Sequence, residues 1–267
     1  MAKPLTAKQR WRQLRSEWAL ALAFLTRIPV PEPWLTGADV GRASRWFSWI
    51  GVVIGAIAAM IFSVAALLLP QSVAAGLTIV VSIMLTGALH QDGLADLCDG
   101  FWGGWTAERK LEIMKDSAIG SYGVIALIVA LGLPIITLTG LPPALVPLTL
   151  LLSHCGSRSL AGLLPLWLPY ARIDGNSKTP QKDQRLDRWH LAVLLAPALM
   201  LLILLAQWQS LTAAITVLGG WLLALWWLVR LMRRHIQGYT GDTLGATQQV
   251  LELQTPVLLL ATLNLQG

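Results

Sequence analysis

The sequence predicts an all-α fold, a polytopic bundle of membrane-embedded helices, and three observations carry the prediction. Of the 267 residues, 55% are hydrophobic and 13% are charged, about half the ~25% charged fraction of soluble domains. The mean hydropathy is +0.61, and apolar runs recur that are long enough for a helix of about 20 residues, one bilayer crossing. Lys and Arg are confined to alternate connections between those runs, the pattern of loops on one side of a bilayer.

Residues 1–30 form an N-terminal segment. Lys3, Lys8, Arg10, Arg12 and Arg15 precede an apolar run from Trp18 to Phe24, without a convincing cleavage site. Residues 6–26 are expected to form an amphipathic or re-entrant helix, held at the surface by basic residues and Trp. About seven spans are expected, near 46–69, 72–90, 120–140, 142–168, 190–207, 211–231 and, weakly, 250–265. The linkers 70–71, 140–142 and 207–210 are short and lack Lys and Arg, so neighbouring helices are expected to pair antiparallel.

The opposite side holds the N-terminal run with Arg42, Arg45, Arg109, Lys110 and Lys115. It also holds Arg172, Lys178, Lys182, Arg185, Arg188, Arg230, Arg233 and Arg234. By the positive-inside rule that side is cytoplasmic, and a cytoplasmic (inner) membrane is the expected location. The longer polar segments 91–119, 169–189 and 232–249 all fall there. The net charge of +6 is accounted for by these basic loops, so no nucleic-acid partner is expected. Cys98 and Cys155 are too few for a disulfide framework and read as packing thiols.

The chemistry concentrates in 91–119, expected to be a cytoplasmic catalytic loop and helix within one membrane-embedded domain. Asp92, Asp96 and Asp99 are spaced by four and three residues, which puts them on one helix face. Three like charges so close call for a cation, and oxygen donors favour a hard divalent ion, Mg²⁺. Gly100, Gly103 and Gly104 allow a turn, and Thr106 can cap a second helix. That helix carries Arg109, Lys110, Glu112, Lys115 and Asp116. Arg109, Lys110 and Lys115 suit either headgroup anchoring or a diphosphate clamp. Ser117, Gly120 and Ser121 offer small residues and backbone amides for a phosphate oxygen at a helix start.

Two distant constellations can complete this site. Asp242, between Gly241 and Thr243, is either a helix cap or a further metal ligand on the same side of the membrane. Gln249 and Glu252 follow it, Glu252 as a lesser candidate. Arg158 lies inside an apolar span, where a charge needs a partner or a wet cavity. It reads either as a functional cation facing a substrate phosphate or as half of a structural ion pair.

Four blocks resemble the cobalamin synthase family, the adenosylcobinamide-GDP ribazoletransferases. They are Phe24-Leu-Thr-Arg-Ile-Pro-Val-Pro31, His90-x-Asp-Gly-Leu-Ala-Asp-x-Cys-Asp-Gly100, Glu112-Ile-Met-Lys-Asp-Ser-x-x-Gly120 and Thr240-Gly-Asp-Thr-Leu-Gly-Ala246. The second and fourth are the specific ones. The resemblance implies a Mg²⁺-dependent membrane transferase. Its substrates would be adenosylcobinamide-GDP and α-ribazole or α-ribazole 5′-phosphate. The ribose 3′-hydroxyl would attack the phosphorus next to the cobinamide, expelling GMP. On that reading Asp92, Asp96, Asp99 and Asp242 hold metal, with Asp242 alternatively taking the hydroxyl proton. Arg158, Lys110 and Lys115 would stabilise charge on the leaving GMP, and Asp116 would orient the lysines or join the metal set. The lipid bilayer is the other expected partner, and a homo-oligomer is compatible with the sequence.

Two rivals predict different outcomes. A CDP-alcohol lipid phosphotransferase shares the metal chemistry, but its stricter Asp-Gly-x-x-Ala-Arg pattern is absent. An ion-coupled transporter requires acids near mid-membrane, whereas these cluster at one face.

Overall fold

A computed structural model describes residues 6–171 and 186–266, which are helical apart from short connections and one isolated bridge pairing Tyr170 with Tyr239. Lys3, Arg172, Lys178, Lys182 and Arg185 lie outside the described residues. The helices are α1 (Ala7–Leu25), α2 (Val40–Ala43), α3 (Phe47–Ala66), α4 (Gln71–Thr86), α5 (Leu89–Gly103) and α6 (Ala107–Ile113). They continue with α7 (Ser121–Gly140), α8 (Val146–Ala161), α9 (Arg188–Trp208), α10 (Leu211–Ile236) and α11 (Gly241–Gln266).

The expected membrane bundle is present, with a different division into spans. Val40–Ala66, α7, α9 and α10 are each long and apolar enough to cross a membrane, and α4 with α5 makes a fifth if that bent pair counts as one span. The chain is therefore a multi-pass membrane protein. Lipid-facing residues such as Ile128, Ile136, Leu223 and Trp226 remain exposed, while the opposite helix faces bury Ala130, Leu138, Leu225 and Leu228.

The expected span 142–168 is cut to the 16 residues of α8. The chain leaves the helix at Gly162 and turns through Leu164–Leu166. Along α8 only Pro147 and Leu151 are less than fully buried, so this helix is the shielded centre of the bundle. Its Ser, His and Arg residues can lie at membrane depth because other helices cover them. In place of the weak span 250–265, α11 begins at Gly241. Its early turns are too polar for lipid and are buried against α5 and α8.

The expected span 72–90 also breaks. Gly87 and Ala88 both adopt left-handed backbone, at φ 65° and 60°, and α5 leaves at 89° to α4. The left-handed φ at Gly87 favours glycine, and a Cβ there would fall 2.1 Å from Nε of Arg27. Arg27 also donates its backbone amide to the Leu85 carbonyl at 2.7 Å, pinning the chain after α1 to this corner. The Asp-bearing stretch is thus no surface loop. It is a separate helix with Leu94, Leu97 and Phe101 in the core, and only its polar face is left for chemistry.

The N-terminal helix forms as expected. Thr6 and Gln9 make a reciprocal capping box, and the first turns, with Lys8, Arg10 and Trp11, are exposed. The second half docks through Ala21, Leu22 and Leu25 against Ile50 and Ile54. Buried Glu17 pairs with Arg45 at 3.1 Å.

Candidate active site

The site is built where α5 and α11 cross. Its architecture rests on Gly93, where a Cβ would lie 2.6 Å from the carbonyl oxygen of Asp242. One turn deeper, Gly245 faces the backbone of His90, whose Cα would lie 3.4 Å from an added Cβ. With no side chains between them, the helices approach backbone to backbone. Asp242 is thereby set beside the start of the Asp face, with Asp92 exposed, Asp96 half-buried and Asp242 half-buried at the crossing.

Asp242 is not the cap of its helix. Thr240 holds that role: its hydroxyl accepts from the Thr243 amide at 3.3 Å, and Thr243 Oγ1 accepts from the Thr240 amide at 2.8 Å. Asp242 lies in the first turn, where the helix dipole favours a negative charge. Its Oδ2 accepts from Thr240 Oγ1 at 3.4 Å.

Asp99 is different. It is buried, and both carboxylate oxygens accept backbone amides: Oδ2 from Gly120 at 2.7 Å and Oδ1 from Gly123 at 2.9 Å. It caps the start of α7 from a distant helix. A Cβ on Gly120 or Gly123 would come within 2.4 Å of the same carboxylate, so both glycines are there to let it in. This corrects two expectations. Asp99 is a structural acid, and the Gly120 amide is already engaged by it and is not open to a phosphate.

For Arg158 the structure shows the ion-pair alternative. It is 2% exposed and donates to Glu252 Oε2 at 3.2 Å and to the His154 carbonyl at 3.0 Å. It forms the ion pair that the sequence offered as the alternative reading. Glu252, the lesser candidate, proves central. The same Oε2 lies 2.9 Å from His154 Nδ1 and accepts from Gln248 Nε2, which also donates to Ser157 Oγ at 3.2 Å. Sequence reasoning missed His154, Ser157 and Gln248. Their signal was present in α8, where polar residues recur at helical spacing in an apolar run.

The remaining expected residues lie around α6 and the loop after it. Thr106 caps α6 by accepting from the Arg109 amide at 3.2 Å. Its hydroxyl also helps to hold Glu108 below the usual glutamate range, second to the backbone bond of Glu108 itself. Arg109 pairs with Glu112 at 3.0 Å, both side chains about two-thirds exposed, so this pair is a solvated surface feature. Lys110 is half-buried, its stem packed against Gly104. Lys115, Ser117 and Ser121 are exposed, and Asp116 closes a local turn by accepting from the Ala118 amide at 3.0 Å.

Among the described residues no group of three or more His, Cys, Asp or Glu is close enough to hold a metal ion alone. Mg²⁺ usually takes one or two carboxylates and completes its octahedron with water and substrate phosphate, so an ion here would rest on one or two of these acids and not on a full protein cage. Asp92, Asp96 and Asp242 supply hard oxygens of that kind.

The sequence profile of cobalamin-5-phosphate synthase matches residues 17–261. The adenosylcobinamide-GDP ribazoletransferase of Shewanella pealeana is 40% identical over 258 residues, covering 94% of this chain and 97% of that protein. Those of Shewanella piezotolerans and Shewanella woodyi are 39% and 40% identical, each covered over 97% of its length by 94% and 93% of this chain. No solved structure matches the chain. A profile match across nearly the whole length, with relatives near 40% identity, places this chain in the cobalamin-5-phosphate synthase family.

Proposed function

We propose that this protein joins adenosylcobinamide-GDP to α-ribazole or its 5′-phosphate, releasing GMP and completing the nucleotide loop of the cobamide. The observation that supports the reading is the close crossing at Gly93, which brings the Asp242 backbone against the helix that carries Asp92 and Asp96. Displacement at a diphosphate requires charge neutralisation, in-line alignment and a proton acceptor more than covalent help. Asp92 and Asp96 are the residues that would hold Mg²⁺, with Asp242 completing the set or taking the proton of the attacking 3′-hydroxyl. When bound, the ion would neutralise charge on the diphosphate. The hydroxyl oxygen bonds to the phosphorus next to the cobinamide, the bond from that phosphorus to the bridging oxygen breaks, and GMP leaves with that oxygen. Lys110 and Lys115, near the end of the Asp-bearing helix, suit the nucleotide phosphate. Arg158 has no part in this step.

The bundle end that carries the basic residues is the cytoplasmic end of an inner-membrane protein on this reading, as the positive-inside rule requires. The site would then face soluble, charged substrates. The test is GMP release by purified protein supplied with adenosylcobinamide-GDP, α-ribazole and Mg²⁺. A folded protein that releases no GMP, with α-ribazole or with its phosphate, refutes the proposal.

A further inference from the structure

Beneath the crossing, α5, α8 and α11 enclose a polar cluster that the proposed chemistry does not use. It comprises His154, Ser157 and Arg158 from α8 with Gln248 and Glu252 from α11. Beside it lies a cavity of about 30 Å³, measured at water centres and lined by Gln91, Ser153, His154, Gln249 and Glu252. That is room for about two waters. Gln91 Oε1 and Gln249 Oε1 are buried without a hydrogen-bond partner, and both residues line the cavity. They require a donor, and water is the donor that fits.

The placement gives the cluster its meaning. Gln91 directly precedes Asp92, and Gln249 and Glu252 stand two to three turns below Asp242 on the same helix. Each helix that bears a candidate catalytic acid therefore continues into this cluster. Glu252 fixes α11 to the central helix α8, and Gln91 and Gln249 line one cavity from α5 and α11.

We propose that Glu252 and Arg158 are positioning residues: their ion pair, with the polar cavity beside it, sets the register of α11 against α5 and so holds Asp242 in place. The inference rests on the transferase reading for its kinetic consequence but not for its structural one. The test has two readouts on the full-length chain in detergent or nanodiscs. The first is steady-state GMP release by Glu252→Gln, by Arg158→Met and by the double variant. The second is the pulsed-EPR distance distribution between labels at Trp102→Cys on α5 and Gly241→Cys at the start of α11, in a Cys98→Ser background.

The single variants are expected to lower kcat about 10- to 100-fold, the scale of a misplacement near 1 Å, with KM for adenosylcobinamide-GDP within about twofold. They should also broaden or shift the distance distribution. The double variant, which leaves no lone buried charge, should fold at least as well as either single one yet keep the altered distances. An unchanged distribution in all three overturns the proposal even if turnover falls, because the residues would then act by another route. Normal turnover in all three overturns it as well. If the unmodified chain releases no GMP while its distances still respond to Glu252→Gln, the transferase reading fails and the positioning role stands.

Discussion

Gly93→Ala adds one methyl group at the point where the two acid-bearing helices meet. The new Cβ would lie 2.6 Å from the Asp242 carbonyl oxygen, 3.1 Å from its Cα and 3.2 Å from its carbonyl carbon. All three are backbone atoms, so no side chain can swing aside. Restoring ordinary contact near 3.4 Å pushes the helices apart by about 0.8 Å. Overpacking of this kind costs about 1–3 kcal/mol, and alanine's better helix propensity returns up to about 1 kcal/mol. Stability is therefore the blunter readout. Turnover is the sharper one, because a displacement near 1 Å at a reacting centre can cost about 10²-fold. A fall of about 10- to 100-fold in GMP release is expected. Gly245→Ala is the control: its Cβ would meet nothing closer than 3.4 Å, so activity within about twofold of the unmodified chain is expected. Full activity in Gly93→Ala, or equal damage from both substitutions, would refute the claim that this crossing sets the site.

Asn at Asp92, Asp96 or Asp242 should each lower GMP release by at least about 10²-fold, the scale of a removed electrostatic stabiliser, while thermal melts stay near that of the unmodified chain. Asp99→Asn should behave in the opposite way. It sets an NH₂ group against the Gly120 or Gly123 amide, so stability should fall by about 1–3 kcal/mol with the Mg²⁺ concentration for half-maximal rate unchanged. Arg109→Ala removes an exposed pair of a kind that contributes about 0–1 kcal/mol, and both melt and rate should stay within error of the unmodified chain. Chelation should abolish GMP release and added Mg²⁺ should restore it; persistence of the reaction in excess chelator would remove metal from the proposed chemistry.

Hydropathy made the bundle legible, because a lipid-facing helix is apolar on most of its surface, as α7, α9 and α10 are. It failed where tertiary cover replaced lipid. The centre of the bundle is α8, yet it is only 16 residues long and carries Ser153, His154, Ser157 and Arg158. Hydropathy cannot separate a short span from a helix shielded by its neighbours. The break at Gly87 and Ala88 was hidden for a related reason. Apolar character continues through it, and the corner is held by Arg27, some sixty residues earlier in the chain. The cap by Thr106 was legible because a cap is a local interaction. The cap by Asp99 was not, since its amides come from the start of another helix.

The division among the three aspartates follows from the same distinction between local and distant contacts. Helical spacing places Asp92, Asp96 and Asp99 on one face and treats them as equals. Yet Asp99 lies about 10 Å along the axis from Asp92, far enough for the two to meet different neighbours. Beside Asp92, at Gly93, the neighbour is the start of α11 with Asp242 in its first turn, and Asp92 itself is exposed. Around Asp99 it is the start of α7, which brings unpaired backbone N–H groups that must be satisfied. A carboxylate that accepts two amides has little reason to exchange them for a cation and shields its charge without one. The like-charge repulsion that called for a metal is therefore weaker than the spacing implied. Removing Asp99 from the set moves the candidate metal site from the middle of α5 to its crossing with α11, and it makes Gly93, a residue with no side chain, the position on which the site's geometry turns.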